Sequence, residues 1–198
     1  MRFEVPMSHR FIFTVVRFSF LGIALGLLGA CAKPASPSAM VPDVAGIGAG
    51  PAPSYRGAIT AGEVSGGSKT SPLWTSQVDG PEFQEALVRT LMESGLGRAD
   101  SGRFRLDAVL QKLEQPFAGF AMTVSATISY RLTEVATGTV VYDKAITTPA
   151  TTTMDDAIDS QARLKIANER AIRANLRQLI EEFYALSDRP AVTSSRRT

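Results

Sequence analysis

One cysteine and one histidine are all that 198 residues contain of those two types, and Cys31 and His9 both lie near the start. A single cysteine cannot close an internal disulfide, so no disulfide framework organises this chain. Charge of one sign is lacking too: 21 Lys and Arg against 19 Asp and Glu leave a formal +2. There is no Gly-rich phosphate loop, no EF-hand spacing and no hexapeptide repeat. The nearest approach, Gly62-Glu63-Val64-Ser65-Gly66-Gly67, lacks the lysine and following hydroxyl of a P-loop and reads as a strand end with a turn.

What the first thirty residues do contain is the three-part pattern of a secretory signal. Arg2, Arg10 and Arg17 form a basic start, Phe18 to Leu28 is an apolar run, and Gly29 and Ala30 precede Cys31. An eleven-residue apolar or small stretch has the length of a signal's central region, whereas a bilayer-spanning helix needs roughly 20 apolar residues. An uncleaved anchor is the alternative, but extending the run back to Phe11 encloses Arg17. Met7 is an alternative start that changes nothing downstream.

Leu28-Gly29-Ala30-Cys31 resembles the lipobox of bacterial lipoproteins. The resemblance implies cleavage before Cys31, a diacylglycerol thioether on its sulfur and acylation, as by palmitate, of the new amino group. It also accounts for an unpaired thiol in an exported protein. Each buried CH₂ contributes about 0.8 kcal/mol, so two or three chains hold firmly where one is marginal. Ala32 follows the cysteine in place of the aspartate that marks inner-membrane retention in such proteins. The expected location is therefore the periplasmic face of the outer membrane, with the inner membrane as the alternative.

Cleavage would remove Arg2, Arg10 and Arg17 with Glu4, leaving 18 basic and 18 acidic side chains and no net charge. No global field would then draw nucleic acid to the protein. His9 would leave as well. Without imidazole or free thiol, His/Cys metal sites, Ser-His-Asp triads and Cys-His dyads are unavailable, so neither a metal nor a cofactor is expected. Chemistry using carboxylates alone remains as the enzymatic alternative.

The signal is followed by residues 31–54, rich in Pro, Ala, Gly and Ser, which read as a flexible tether with an r.m.s. reach on the order of 25 Å. One domain is expected over 55–186 and a frayed tail over 187–198. Within the domain, Ala58 to Val64 reads as a short strand. A helix follows over Pro81 to Ser94, with Gly80 as N-cap, Phe83, Ala86, Leu87 and Leu91 on one face, and Gly95 as C-cap. Phe104 to Gln111 alternates. So does Met122 to Glu134, where six apolar residues interleave with Thr123, Ser125, Thr127, Ser129, Arg131 and Thr133; period two over such a length marks a half-buried antiparallel strand. A turn through Gly138 leads to a strand at Val140 to Thr147. Asp155 to Ala185 reads as one long helix whose second half carries Ile172, Leu176, Leu179, Ile180 and Phe183 as its apolar stripe. The order is β-α-β-β-β-α. It points to a two-layer α/β sandwich, with a four-stranded, mostly antiparallel sheet and both helices on one face.

That order, the run Phe83-x-x-Ala86-Leu87-x-x-x-Leu91-x-x-x-Gly95, the strand pair around Gly138 and the long last helix together resemble the small envelope domains of the LPS-assembly lipoprotein, the YajG-type lipoproteins and the amino-terminal domain of TolB. The resemblance covers roughly residues 56–186. It implies a binding or assembly subunit of an envelope machine and not an enzyme. Ala32-Lys33-Pro34 departs from the Gly-Phe beginning usual after the cysteine of the LPS-assembly lipoprotein, which sets that specific role apart.

Four features are candidate partner-binding surfaces besides the lipidation site Cys31. Phe117 and Phe120 lie in Pro116-Phe117-Ala118-Gly119-Phe120 between two strands; they form either a tip that enters a partner or lipid surface, or rings folded over the core rim. Arg163, Arg170 and Arg177, with Arg173, make a basic stripe for lipid phosphates or an acidic partner; the plainer reading is a solvated face, with Glu169 and Glu181 four residues from Arg173 and Arg177. Trp74 either plugs the sandwich end or stacks on a ligand. The hydroxyl face of 123–133 is either an ordinary wet face or a docking surface. The expected function is a non-enzymatic accessory lipoprotein that binds an envelope protein or lipid. A carboxylate-only transferase or hydrolase and a purely structural lipoprotein are the alternatives.

Overall fold

Strict alternation in the middle of the chain builds the centre of the molecule. The structure, a computed structural model, describes residues 33–48, 50–71, 77–116 and 119–186. The signal segment, Cys31, Trp74, Phe117 and the tail lie outside them. Elements run α1 (Pro37–Met40), β1 (Ile59–Gly66), α2 (Gly80–Glu93), β2 (Phe104–Glu114), β3 (Met122–Glu134), β4 (Val140–Thr152) and α3 (Ser160–Ala185). The four strands form one open sheet in the order β1-β2-β3-β4.

The β3 span agrees with the alternation residue for residue. Met122, Val124, Ala126, Ile128, Tyr130 and Leu132 are buried. Antiparallel pairing places Leu106 opposite Leu132 and Ile128 opposite Ile146. The first pair differs: β1 runs parallel to β2, with Ile59 beside Phe104. The chain passes through α2 between them, and a crossover of that length is what a parallel neighbour requires. β4 extends five residues beyond the expected Thr147, through Pro149. Proline is tolerated there because β4 is an edge strand and Pro149 needs no second ladder partner.

The helices differ from expectation at their starts. Asp79, not Gly80, caps α2: its carboxylate accepts from the Glu82 N–H at 3.0 Å, and the Glu82 carboxylate accepts from the Asp79 N–H at 3.2 Å. At the other end Gly95, at φ +71°, allows the Leu96 N–H to reach back to the Leu91 carbonyl at 3.1 Å. α3 begins at Ser160 and not Asp155. The Asp159 carboxylate accepts from the Ala162 N–H at 2.7 Å and sets that start, while Asp156 closes a turn by accepting from the Thr153 N–H at 2.9 Å.

Both long helices pack on the sheet, α2 against β1 and α3 against β3 and β4. Their apolar stripes, Phe83, Leu87 and Leu91 on α2 and Ile172, Leu176, Leu179, Ile180 and Phe183 on α3, join the inward sheet residues in one core. The Tyr142 and Phe183 rings meet edge to face, with centroids 5.1 Å apart.

The free-tether reading of the segment after Cys31 is corrected. Ala35, Met40 and Ile47 are buried members of the core, and α1 lies against both α2 and α3. The Ser36 N–H donates to Glu169 Oε1 at 2.7 Å, and the Arg173 guanidinium donates to the Ala39 carbonyl. Composition suggested coil because charges are few and Pro and Gly are many. Four apolar residues, Met40, Val41, Val44 and Ile47, nonetheless find the helix layer, and buried apolar area outweighs a loop-like composition.

Candidate functional site

Three neighbourhoods gather the chemistry-bearing residues. The first is the face of the sheet that the helices leave uncovered. Here strand register lines up Asp107, Arg131 and Asp143 across β2, β3 and β4. Arg131 is 2.9 Å from Asp143, and Arg105 is 3.0 Å from Asp107. The other oxygen of Asp107 accepts from the Glu63 N–H at 2.9 Å. Beside this charged row lie short side chains: Ser65, Val109, Ser129 and Ala145. They leave a groove of about 330 Å³ bounded by Glu63, Asp107, Arg131 and Asp143. Further along, Thr127 pairs with Thr147 and Thr123 with Thr151, each pair of hydroxyls 2.9 Å apart. The hydroxyl face is thus a surface of small residues ending in an ion-paired row. Period two placed the β2 and β3 residues on this face, whereas the irregularity between Ala61 and Val64 brings Glu63 and Ser65 there. Asp107 and Asp143 were missed as site residues, because only register shows that they flank Arg131.

The second neighbourhood dissolves the arginine stripe into four separate contacts. Arg163 is buried and donates to the carbonyls of Ala157 at 2.9 Å, Ile158 at 2.6 Å and Gly119 at 3.2 Å, and to the Met154 sulfur at 3.2 Å. Arg170 pairs with Asp156 at 2.6 Å, Arg173 holds the Ala39 carbonyl, and Arg177 pairs with Glu181 at 2.9 Å. Seven-residue spacing put Arg163, Arg170 and Arg177 on one side of the helix, yet each guanidinium is drawn to a different local acceptor. The Arg170 hydrogen bond, then the Thr153 N–H, hold the Asp156 carboxyl below its usual range.

The third is a polar seam inside the core. The Tyr130 hydroxyl donates to Asn175 Oδ1 at 2.9 Å, and Asn175 Nδ2 donates to the carbonyls of Ala126 at 3.3 Å and Ile146 at 2.9 Å. Burial pushes the Tyr130 phenol well above its usual range, so it stays a neutral donor. Nearby, Thr148 donates to the Ala171 carbonyl at 2.9 Å. At the β2 end, the Gln77 amide reaches Gln115 at 3.0 Å and the Gln115 amide reaches Asn168 at 2.8 Å.

Phe120 stands fully in solvent, at 84% exposure, and does not fold over the core rim. Among the described residues no cluster of three metal-ligating side chains occurs, and no helix is long and apolar enough to cross a membrane.

No family model matches the chain, and no curated protein matches it. Solved structures do. XCC0632 of Xanthomonas campestris matches at 15% identity and a TM-score of 0.49, over 69% of this chain and 90% of its own. A PelC dodecamer of Paraburkholderia phytofirmans matches at 14% and 0.44, over 69% and 94%. A minor lipoprotein of Acinetobacter baumannii matches at 9% and 0.43, over 66% and 94%. Among the matching structures, those from Acinetobacter baumannii and Neisseria meningitidis are of lipoproteins.

Proposed function

We propose that this chain is a lipid-anchored, non-enzymatic accessory subunit of the bacterial cell envelope, cut before Cys31, acylated there, and held at the periplasmic face of the outer membrane, where it binds an envelope protein or lipid. The observation that supports the binding role is the uncovered sheet face. It spans all four strands, carries short side chains and hydroxyls, and has Asp107 and Asp143 already paired with arginines. Such a surface offers flat contact area and cross-strand hydroxyls to a partner. The resemblance to the LPS-assembly lipoprotein, the YajG-type lipoproteins and the TolB amino-terminal domain supports the same reading, through the α2 pattern and the long last helix.

The enzymatic alternative has one observation in its favour, the carboxylates of Glu63, Asp107 and Asp143 around one groove. Against it, Asp107 and Asp143 are each held by an arginine, and Glu63, which has no such partner among the described residues, is exposed to water, whereas acid–base work calls for a sheltered carboxylate. The test is crosslinking of the lipidated protein in membranes followed by capture. An envelope protein or lipid enriched over a control carrying only the lipidated segment 31–54 is the expected result. No enrichment would remove the accessory-subunit reading in favour of the purely structural one.

A further inference from the structure

Phe120 and Ile158 are the two most exposed large apolar side chains among the described residues, each at 84%, and Met154 is exposed at 43%. They belong to two loops far apart in sequence, one joining β2 to β3 and the other joining β4 to α3. The register brings those loops together, since Met122 pairs with Thr152 at this end of the sheet. Arg163 then fixes them: a single buried guanidinium donates to Gly119, next to Phe120, and to Ala157 and Ile158, while touching the Met154 sulfur. A buried arginine spent on loop carbonyls leaves three apolar side chains turned to water. That arrangement is unfavourable for a surface that stays wet.

The described part of the segment after Cys31 begins near the same end of the sheet. The Ala35 N–H donates to the Gln77 carbonyl at 3.4 Å, and Ser36 is held by Glu169. The Gln77 amide in turn holds Gln115, the residue after β2 and five before Phe120. Cys31 precedes Ser36 by five residues, a contour of at most about 18 Å. With residues 35–47 packed on the core, an acylated Cys31 would leave the domain little slack to drift from its lipid.

We propose that Phe120, Met154 and Ile158 form an apolar tip that enters the interfacial layer of the membrane carrying the Cys31 lipid, standing the domain end-on with the β3–β4 turn pointing away. The inference rests on the reading of Cys31 as acylated. Its occupant is a phospholipid surface, because the anchor brings one within a short contour of the tip. Apolar side chains set on two loops suit the headgroup–acyl boundary. The nearby acidic groups, Asp155, Asp156 and Asp159, argue against attraction by anionic headgroups, so entry is driven by apolar contact and is insensitive to salt.

Site-directed spin labelling of the full lipidated protein in phosphatidylethanolamine–phosphatidylcholine vesicles tests this. Acylation blocks the Cys31 thiol, so the introduced cysteines Phe120→Cys, Ile158→Cys and, at the far turn, Val135→Cys are labelled singly. Labels at 120 and 158 should be relaxed by oxygen in preference to a water-soluble nickel chelate at low and high salt alike, with the label at 135 showing the reverse. Three aqueous labels on a protein whose mass includes the acyl chains would overturn the tip and leave the anchor standing. Labels at 120 and 158 shielded from both relaxers would mean contact with another copy and would equally overturn it. A mass without acyl chains would remove the anchor and the tip together.

Discussion

Asn175 occupies a position where the apolar stripe of α3 calls for a hydrocarbon, and all its polar atoms there are engaged by Tyr130, Ala126 and Ile146. Removing one partner leaves the other buried and unsatisfied, which costs about 1–3 kcal/mol. We therefore expect Asn175→Leu and Tyr130→Phe each to destabilise the fold. The double variant should lose less than the sum of the two, with a coupling of about 1–2 kcal/mol in urea denaturation. Strict additivity would show that the seam carries no shared energy. Asp156 gives a pH-dependent counterpart. Its folded carboxyl titrates below the usual aspartate range, so the contact with Arg170 and the Thr153 N–H contributes fully at and above that range. It is lost as pH falls through the lower, folded midpoint. An NMR titration should place the Asp156 carboxyl midpoint below the usual aspartate range, and Arg170→Gln should move it back up. A midpoint unmoved by that substitution would rule out Arg170 as the cause.

At the scale of elements, the strap of residues 33–54 separates composition from structure most clearly. Its Met40 is fully buried between the two long helices. Met40→Ala should cost about 2–5 kcal/mol, as deletions of large buried side chains do. The Ser36 amide should exchange slowly with solvent. A strap that were coil would show neither effect. β3 was legible because burial on one face alone imposes period two for thirteen residues. α2 was legible from its stripe and Gly95, with its start displaced by one residue because the capping box of Asp79 and Glu82 was not recognised. The start of α3 was displaced further. Three aspartates within five residues all suit a helix N-terminus, and only the turn closed by Asp156 and the Arg163 contacts assigns the cap to Asp159.

For the molecule as a whole, sheet and helices divide the surface into an open face, a helix layer covered by the strap, and two ends of different character. An end-on posture would leave the open face upright and accessible beside the membrane, compatible with partner binding there. Ser129→Arg and Thr147→Arg put long charged side chains on that face without touching the core, so stability should stay within about 0.5 kcal/mol. Under the proposed function, crosslinked capture of an envelope partner should nevertheless fall. Capture at the parental level from a folded variant would move the binding site off the sheet.

The sequence by itself determined the secretory pattern that ends at the lipobox-like Leu28-Gly29-Ala30-Cys31, the half-buried strand over 122–134 and the apolar stripes of both long helices. Those features follow from local periodicity and from short motifs that act within one segment. Tertiary structure alone decided the parallel seating of β1, the ion-paired row across three strands, the packing of the strap and the gathering of Phe120, Met154 and Ile158 on Arg163. Each of these joins residues distant along the chain. Register, and competition among nearby acceptors for the same guanidinium, settle such contacts, and neither is visible in the spacing of residues along one strand or helix.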